Sequence, residues 1–143
     1  MSRIAVHFFD QGFHRVIFDA MPIPVLVVDR NLRVLEYNEA AAQLFGSDQP
    51  AISNRAGGEV WQCIHATDSS QGCGHGPTCR TCVIRDSIEA AARGRRVIRK
   101  KTGLDLIRNG RPTRIDLRVS CQPFTYEKNN LVLLVLEGLN DPA

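Results

Sequence analysis

PVLVVDRNLRVLEYNEAAAQLFG, residues Pro24 to Gly46, is the stretch on which the reading of the fold turns. Val25 to Val28 is a short run rich in β-branched residues, Asp29-Arg30-Asn31 supplies turn chemistry, and Arg33 to Tyr37 returns as a second strand, which together make a β-hairpin. Asn38 then offers a side-chain acceptor to the unpaired amides of a new helix. Glu39 to Phe45 is alanine-rich, and Gly46 suits the left-handed position that closes a helix. Upstream, Phe9, Phe13, Val16, Ile17 and Ala20 recur at helical spacing, so an amphipathic flanking helix is expected within residues 1–21. Pro22 and Pro24 end it, because proline removes a backbone donor and pushes its predecessor out of the α region.

Downstream of Gly46 the regularity stops. Ser47 to Thr81 carries Pro50, Gly57-Gly58, Pro77 and the alternating Gly72, Gly74 and Gly76, which argues against long elements. An irregular stretch of that length is rare in a compact domain unless something else orders it. Ile84, Ile88, Ala91 and Ala92 then mark one face of a helix from about Arg80 to Arg93, stopped by Gly94. Three strands follow. Val97 to Ile107 is expected to break at Gly103; Ile115, Leu117, Val119 and Cys121 alternate with polar residues; Leu131 to Leu136, apolar at every position, suits a central strand covered on both sides. The order of elements is an α+β pattern.

The whole sequence has 143 residues, 43% hydrophobic and 23% charged, enough for one domain with its own core and unlike a disordered or fibrous chain. Its longest strongly apolar run falls far short of the roughly 20 residues a membrane-crossing helix takes. No secretory signal is read in the N-terminal residues, so the cytoplasm is the expected compartment. The net charge of +3 does not by itself call for nucleic acid. Basic residues do crowd one segment, from Arg93 to Arg118, but they alternate with apolar residues and lack interleaved stacking aromatics. A solvated sheet face is the better reading than a nucleic-acid site.

Cysteine placement is the unusual feature. Four of the five cysteines fall between Cys63 and Cys82, at Cys63-x9-Cys73-x5-Cys79-x2-Cys82. With an odd count and no signal peptide, a metal or redox site fits better than a disulfide framework. Cys82 is expected on the first turn of a helix, where the dipole and free amides favour an ionised sulfur. Glycines beside Cys73 let the backbone turn its amides toward sulfur. The candidate ligands are Cys63, Cys73, Cys79 and Cys82, with His65 and His75 as possible substitutes. Structural zinc, an iron–sulfur cluster and switchable thiols all remain open, as do inert cysteines, since only one CxxC pair is present and neither ferredoxin spacing is reproduced. Covalent haem is disfavoured because Val83 follows Cys82 where that motif needs histidine. Cys121 reads as a small core residue, and Trp61 as core packing.

The string from Pro24 to Gly46, with the later helix and three long strands, resembles the PAS domain family over roughly Ala20 to Gly138. The resemblance implies a five-stranded antiparallel sheet with short helices on one face, residues 22–139 being the domain and about 56–82 a cysteine-rich insertion. Cys63-Ile64-His65-Ala66, Gly72-Cys73-Gly74 and Cys79-Arg80-Thr81-Cys82 are similar to an insertion carried by a subset of such domains in bacterial signalling proteins. The Asn-Cys-Arg-Phe-Leu-like string of the flavin-bearing branch is absent, so flavin is not expected.

The functional expectation is a sensory module of a larger bacterial regulator, such as a histidine kinase, a diguanylate cyclase or a transcription factor, sensing through a cysteine-held metal or redox centre. It is expected to form a homodimer and to act on an output domain, with no nucleic acid and no membrane contact. The alternative is a dimerisation scaffold with structural zinc or free thiols only. No catalytic triad, nucleophile elbow or phosphate-binding loop is visible, and a CxxC redox enzyme lacks the βαβ context it would need. An enzyme is not expected.

Overall fold

The computed structural model describes residues 11–45, 55–56, 82–108 and 110–139. In chain order these form α1 (Gln11–Ala20), β1 (Val25–Asp29), β2 (Arg33–Tyr37), α2 (Glu39–Phe45), β3 (Arg55–Ala56), α3 (Val83–Ala92), β4 (Val97–Arg108), β5 (Arg111–Tyr126) and β6 (Asn129–Gly138). The strands make one sheet in the order β3-β2-β1-β6-β5-β4, antiparallel throughout. Five of them are the expected sheet; β3 adds a two-residue edge strand beside β2.

The β1–β2 hairpin closes on Asp29, whose carboxylate accepts from the backbone N–H of Asn31 (2.9 Å) and of Arg33 (3.0 Å). Leu32 completes the turn in the left-handed region at φ 66°. A leucine there is disfavoured, and it is held by burial in the core.

Helix α3 ends as its sequence dictates. The Gly94 N–H donates to the Ala91 carbonyl (2.8 Å) and that of Arg95 to the Ala90 carbonyl (2.9 Å), with Gly94 at φ 91°. This is the double bond of a Schellman cap, which needs a residue at ease in the left-handed region. Its start differs from the expectation. Cys82 is the N-cap, with extended backbone (φ −70°, ψ 116°), and the first helical residue is Val83.

Strand β4 also departs from its sequence reading. It runs unbroken through Gly103, and the irregularity lies between Val97 and Lys100, where Arg99 takes φ 49°. Gly103 instead makes room: a side chain there would collide with the guanidinium of Arg114, which lies over it.

One face of the sheet is the core. Leu104 and Leu106 of β4, Leu117, Val119 and Cys121 of β5, Val132, Leu134 and Leu136 of β6, and Leu26 and Val28 of β1 are buried together with Ile84, Ile88 and Ala91 of α3. Strand β6 is central, as expected, between β1 and β5. Its cover is one-sided, however: Val132, Leu134 and Leu136 are buried, whereas Leu131, Leu133 and Val135 on the opposite face are half-buried. The β5–β6 turn is the tight pair Glu127-Lys128, both at positive φ, the geometry whose twist matches a two-residue hairpin.

Candidate functional site

Of the residues read as metal ligands, Cys82 alone is described; Cys63, Cys73, Cys79, His65 and His75 lie outside the described residues, as does Trp61. Cys82 is half-buried and packs against the core cluster. Its carbonyl accepts from the Asp86 N–H (3.0 Å), the first bond of α3. Any change that moved this residue would therefore bear on a helix whose Ile84, Ile88 and Ala91 seal the inner face of the sheet. Among the described residues no group of three or more His, Cys, Asp or Glu side chains is placed to hold a metal ion.

Cys121 is of a different kind. It points into the core at 1% exposure, and desolvation pushes its thiol from 9.0 up to about 12, so at neutral pH it is an un-ionised apolar packing group. Beside this core, on α3, the Ser87 hydroxyl is buried with no hydrogen-bond partner among the described residues.

Helix α1 is tied to the domain by polar groups. Arg15 reaches Asp19 (3.1 Å), Glu36 on β2 (2.6 Å) and the Tyr37 carbonyl (3.2 Å), and its guanidinium sits 5.6 Å from the Phe18 ring centre. Asp19 in turn accepts from the Glu39 N–H at the start of α2 (3.0 Å). Val16 and Ile17, from the apolar stripe read in the sequence, are 64% and 45% exposed. The stripe thus leaves these two positions uncovered by the domain's own sheet.

Between α1 and α2 sits Asn38, completely buried. Its Oδ1 accepts from the Val25 N–H and from the Ala41 N–H (both 3.0 Å), and its Nδ2 donates to the Ile23 carbonyl (2.9 Å). The helix cap expected from the sequence is present, and the same side chain also fastens the start of β1.

This arrangement has known counterparts. Residues 12–76 match the PAS domain family. The chain has the PAS fold. Its fold is shared with the PAS domain of nitrogen regulation protein NR(II) from Vibrio parahaemolyticus, at TM-score 0.59 and 17% identity over 88% of this chain and 97% of that one. The PAS domain of an HTR-like protein from Haloarcula marismortui superposes at TM-score 0.56 and 15% identity, over 90% and 96%. A LOV protein from Rhodobacter sphaeroides does so at 0.56 and 14%, over 92% and 69%. At such identities the likeness is one of fold. No curated protein matches the sequence. Among the described residues, no helix is long and apolar enough to cross a membrane.

The sequence reading expected Leu131 to Leu136 to be covered on both sides but named no site on the outer face of the sheet, the one turned away from α3. There Ile98 is 66% exposed beside a groove that it lines together with Ser120, Gln122, Leu133 and Val135. The signal was present in the uninterrupted apolar run Leu131 to Leu136. A strand buried on one face only needs alternate apolar residues, and this one has them at every position.

Proposed function

We propose that this PAS domain, residues 22–139, is the cytoplasmic input module of a larger bacterial signalling protein, a histidine kinase, a diguanylate cyclase or a transcription factor. In this reading it senses through a metal or redox centre held by Cys63, Cys73, Cys79 and Cys82. PAS domains of similar fold come from a nitrogen regulation protein and from a two-component sensor histidine kinase, which supports the signalling role.

The observation that carries the sensing role is the position of Cys82. It is the N-cap of α3 and touches the core, so its sulfur lies at the junction between the cysteine-rich stretch and the helix that covers the sheet. The donor set, four thiols including one CxxC pair, suits zinc or an iron–sulfur cluster. Bound there, such a centre would fix residues 56–82 against the start of α3. The chain's own part is transmission: Ile84, Ile88 and Ala91 carry any displacement of α3 to β4, β5 and β6, and the β1–β6 pairing carries it to the segment joined to α1. Val16 and Ile17 of α1 offer an apolar seam to a second copy, and homodimerisation is part of the reading.

A dimerisation scaffold with structural zinc or free thiols only is the second reading, favoured by that same exposed seam. Elemental analysis and visible absorption of anaerobically purified protein separate the two. Iron with absorption bleached by oxygen supports the sensor. Stoichiometric, redox-silent zinc supports the scaffold. Metal-free protein whose melting and protease pattern are unchanged in Cys79→Ser/Cys82→Ser overturns the sensor, and a protein that is monomeric in solution overturns the scaffold.

A further inference from the structure

Strand β4 is the last of the sheet, and among the described residues no strand pairs with its far side. Its hydrogen-bonding phase follows from the hairpin it closes. Arg108 and Arg111 flank a two-residue turn and so bond to each other. With the register unbroken back to Lys100, the even-numbered residues of β4 turn their N–H and C=O groups to β5. The odd-numbered ones, Lys101, Gly103 and Asp105, aim theirs at the open edge. A row of backbone groups of that kind is a template for another strand.

Bulges and lysines blunt such edges. Here both sit at one end of the strand: the bulge turns Arg99 to φ 49°, and Lys100 and Lys101 follow it. From Thr102 to Leu106 the strand is regular and has neither. Its outer face carries opposite charge on the two sides of Gly103. Lys101 stands across from Arg118, a like charge, and makes no ion pair among the described residues. Asp105 shares the guanidinium of Arg114 (3.3 Å) with Asp116 (3.7 Å). The cation thus meets repulsion within its own sheet, and the anion has only part of a counter-ion.

We propose that β4 pairs with β4 of a second copy, antiparallel about a two-fold axis at Gly103, so that two sheets continue as one. Opposed residues of an antiparallel pair share a face, so a strand paired with itself can centre on any one residue, and the charges choose among them. Centred on Gly103, Lys101 of each copy stands opposite Asp105 of the other, and each of these pairs exchanges backbone hydrogen bonds across the edge. Centred on Lys101 or Asp105, like charges meet. Centred on Thr102, Asp105 would need Arg99, which the bulge takes out of line and Glu137 already holds (3.3 Å). Centred on Leu104, no ion pair forms. Opposite charges placed evenly about one residue are what a two-fold contact requires, since one segment supplies both partners. The bulge ends the pairing beyond Lys101, so the contact is short and closed. It is independent of the seam on α1, which is tied to β2 near the other end of the sheet, and of how the domain senses.

The test uses the full chain with Val16→Ser/Ile17→Ser, which removes association through α1, followed by sedimentation and by amide hydrogen exchange over a range of concentrations. The amides of Lys101, Gly103 and Asp105 are expected to exchange more slowly as concentration rises and dimer grows, while those of Thr102 and Leu104, bonded to β5, stay protected throughout. Lys101→Asp and Asp105→Lys each set like charges opposite one another twice, and each alone is expected to weaken self-association about tenfold. Mixed in equal amounts, the two variants place opposite charges across both halves of the contact, and they are expected to associate with each other as the parent does with itself. The proposal fails if the three amides exchange at one rate at every concentration, or are already protected in the monomer. It also fails if either variant, melting as the parent does, associates equally well, or if the mixture associates no better than its components. Should Asp105→Lys not fold for want of its contact with Arg114, the concentration dependence of those three amides decides alone.

Discussion

The carboxylate of Asp19, one residue from the end of α1, accepts a hydrogen bond from the backbone N–H of Glu39, the first residue of α2, at 3.0 Å. A side chain outside the sheet-forming part of the chain thus satisfies a helix amide inside it. With Arg15 on Glu36 and the Tyr37 carbonyl, it leaves α1 attached mainly through exposed polar groups, each worth little singly. Asp19→Ala is expected to cost the domain about 1 kcal/mol, in the range of a lost helix cap. Hydrogen exchange should quicken in α1 well before it does in β1. Equal protection of α1 in parent and variant would show that the helix is held by something else.

Asn38 carries more. Removing it strands the buried Val25 and Ala41 amides and frees the part-buried Ile23 carbonyl, and unsatisfied buried groups cost more than the bonds they lose. Asn38→Ala should destabilise by about 2–4 kcal/mol in urea unfolding. Asn38→Asp retains the oxygen that accepts from Val25 and Ala41 but sets a carboxylate against the Ile23 carbonyl, so it should recover stability as pH falls and the carboxyl becomes a donor. A variant insensitive to pH would contradict this account.

Much of this was legible beforehand because local chemistry and fold agree. Asp29 turns a hairpin, Asn38 caps a helix and Gly94 ends one wherever they occur, and alternation in β5 names its buried face without help from the tertiary structure. Gly103 misled because a glycine within a strand reads as a break unless one knows what lies over it, and Arg114 is near only through the β4–β5 register. The bulge at Arg99 left no mark in the sequence for the same reason: it is fixed by the Ser120 hydroxyl across the strand pair. Of the cysteine cluster, spacing named the candidates, and the described residues bear on Cys82 alone.

The fit of Arg114 over Gly103 makes a prediction about coupling. Gly103 has no unusual φ, so alanine relieves the entropic penalty of glycine at no backbone strain, by about 0.5–1 kcal/mol. In the parent that gain is offset, because the new Cβ displaces the guanidinium from Asp105 and Asp116, two exposed ion pairs. Gly103→Ala should therefore be near neutral alone and stabilising in an Arg114→Ala background. A double-mutant cycle by chemical denaturation measures the difference, and strictly additive effects would rule the contact out.

Cys121 makes the alkaline limb of stability a local matter. Burial raises its thiol from 9.0 to about 12 in the folded protein, so above pH 9 the unfolded chain gives up a proton that the native state keeps. Its contribution is complete below 9.0 and is lost as pH climbs toward 12, a span of three units or at most about 4 kcal/mol, with roughly half gone midway. Cys121→Ala costs packing at every pH but has no thiol to titrate. The stability gap between parent and variant should be constant from pH 6 to 8 and narrow above 9, as urea unfolding at stepped pH would record. A gap that stays constant or widens above 9 would mean that the thiolate is tolerated in the core.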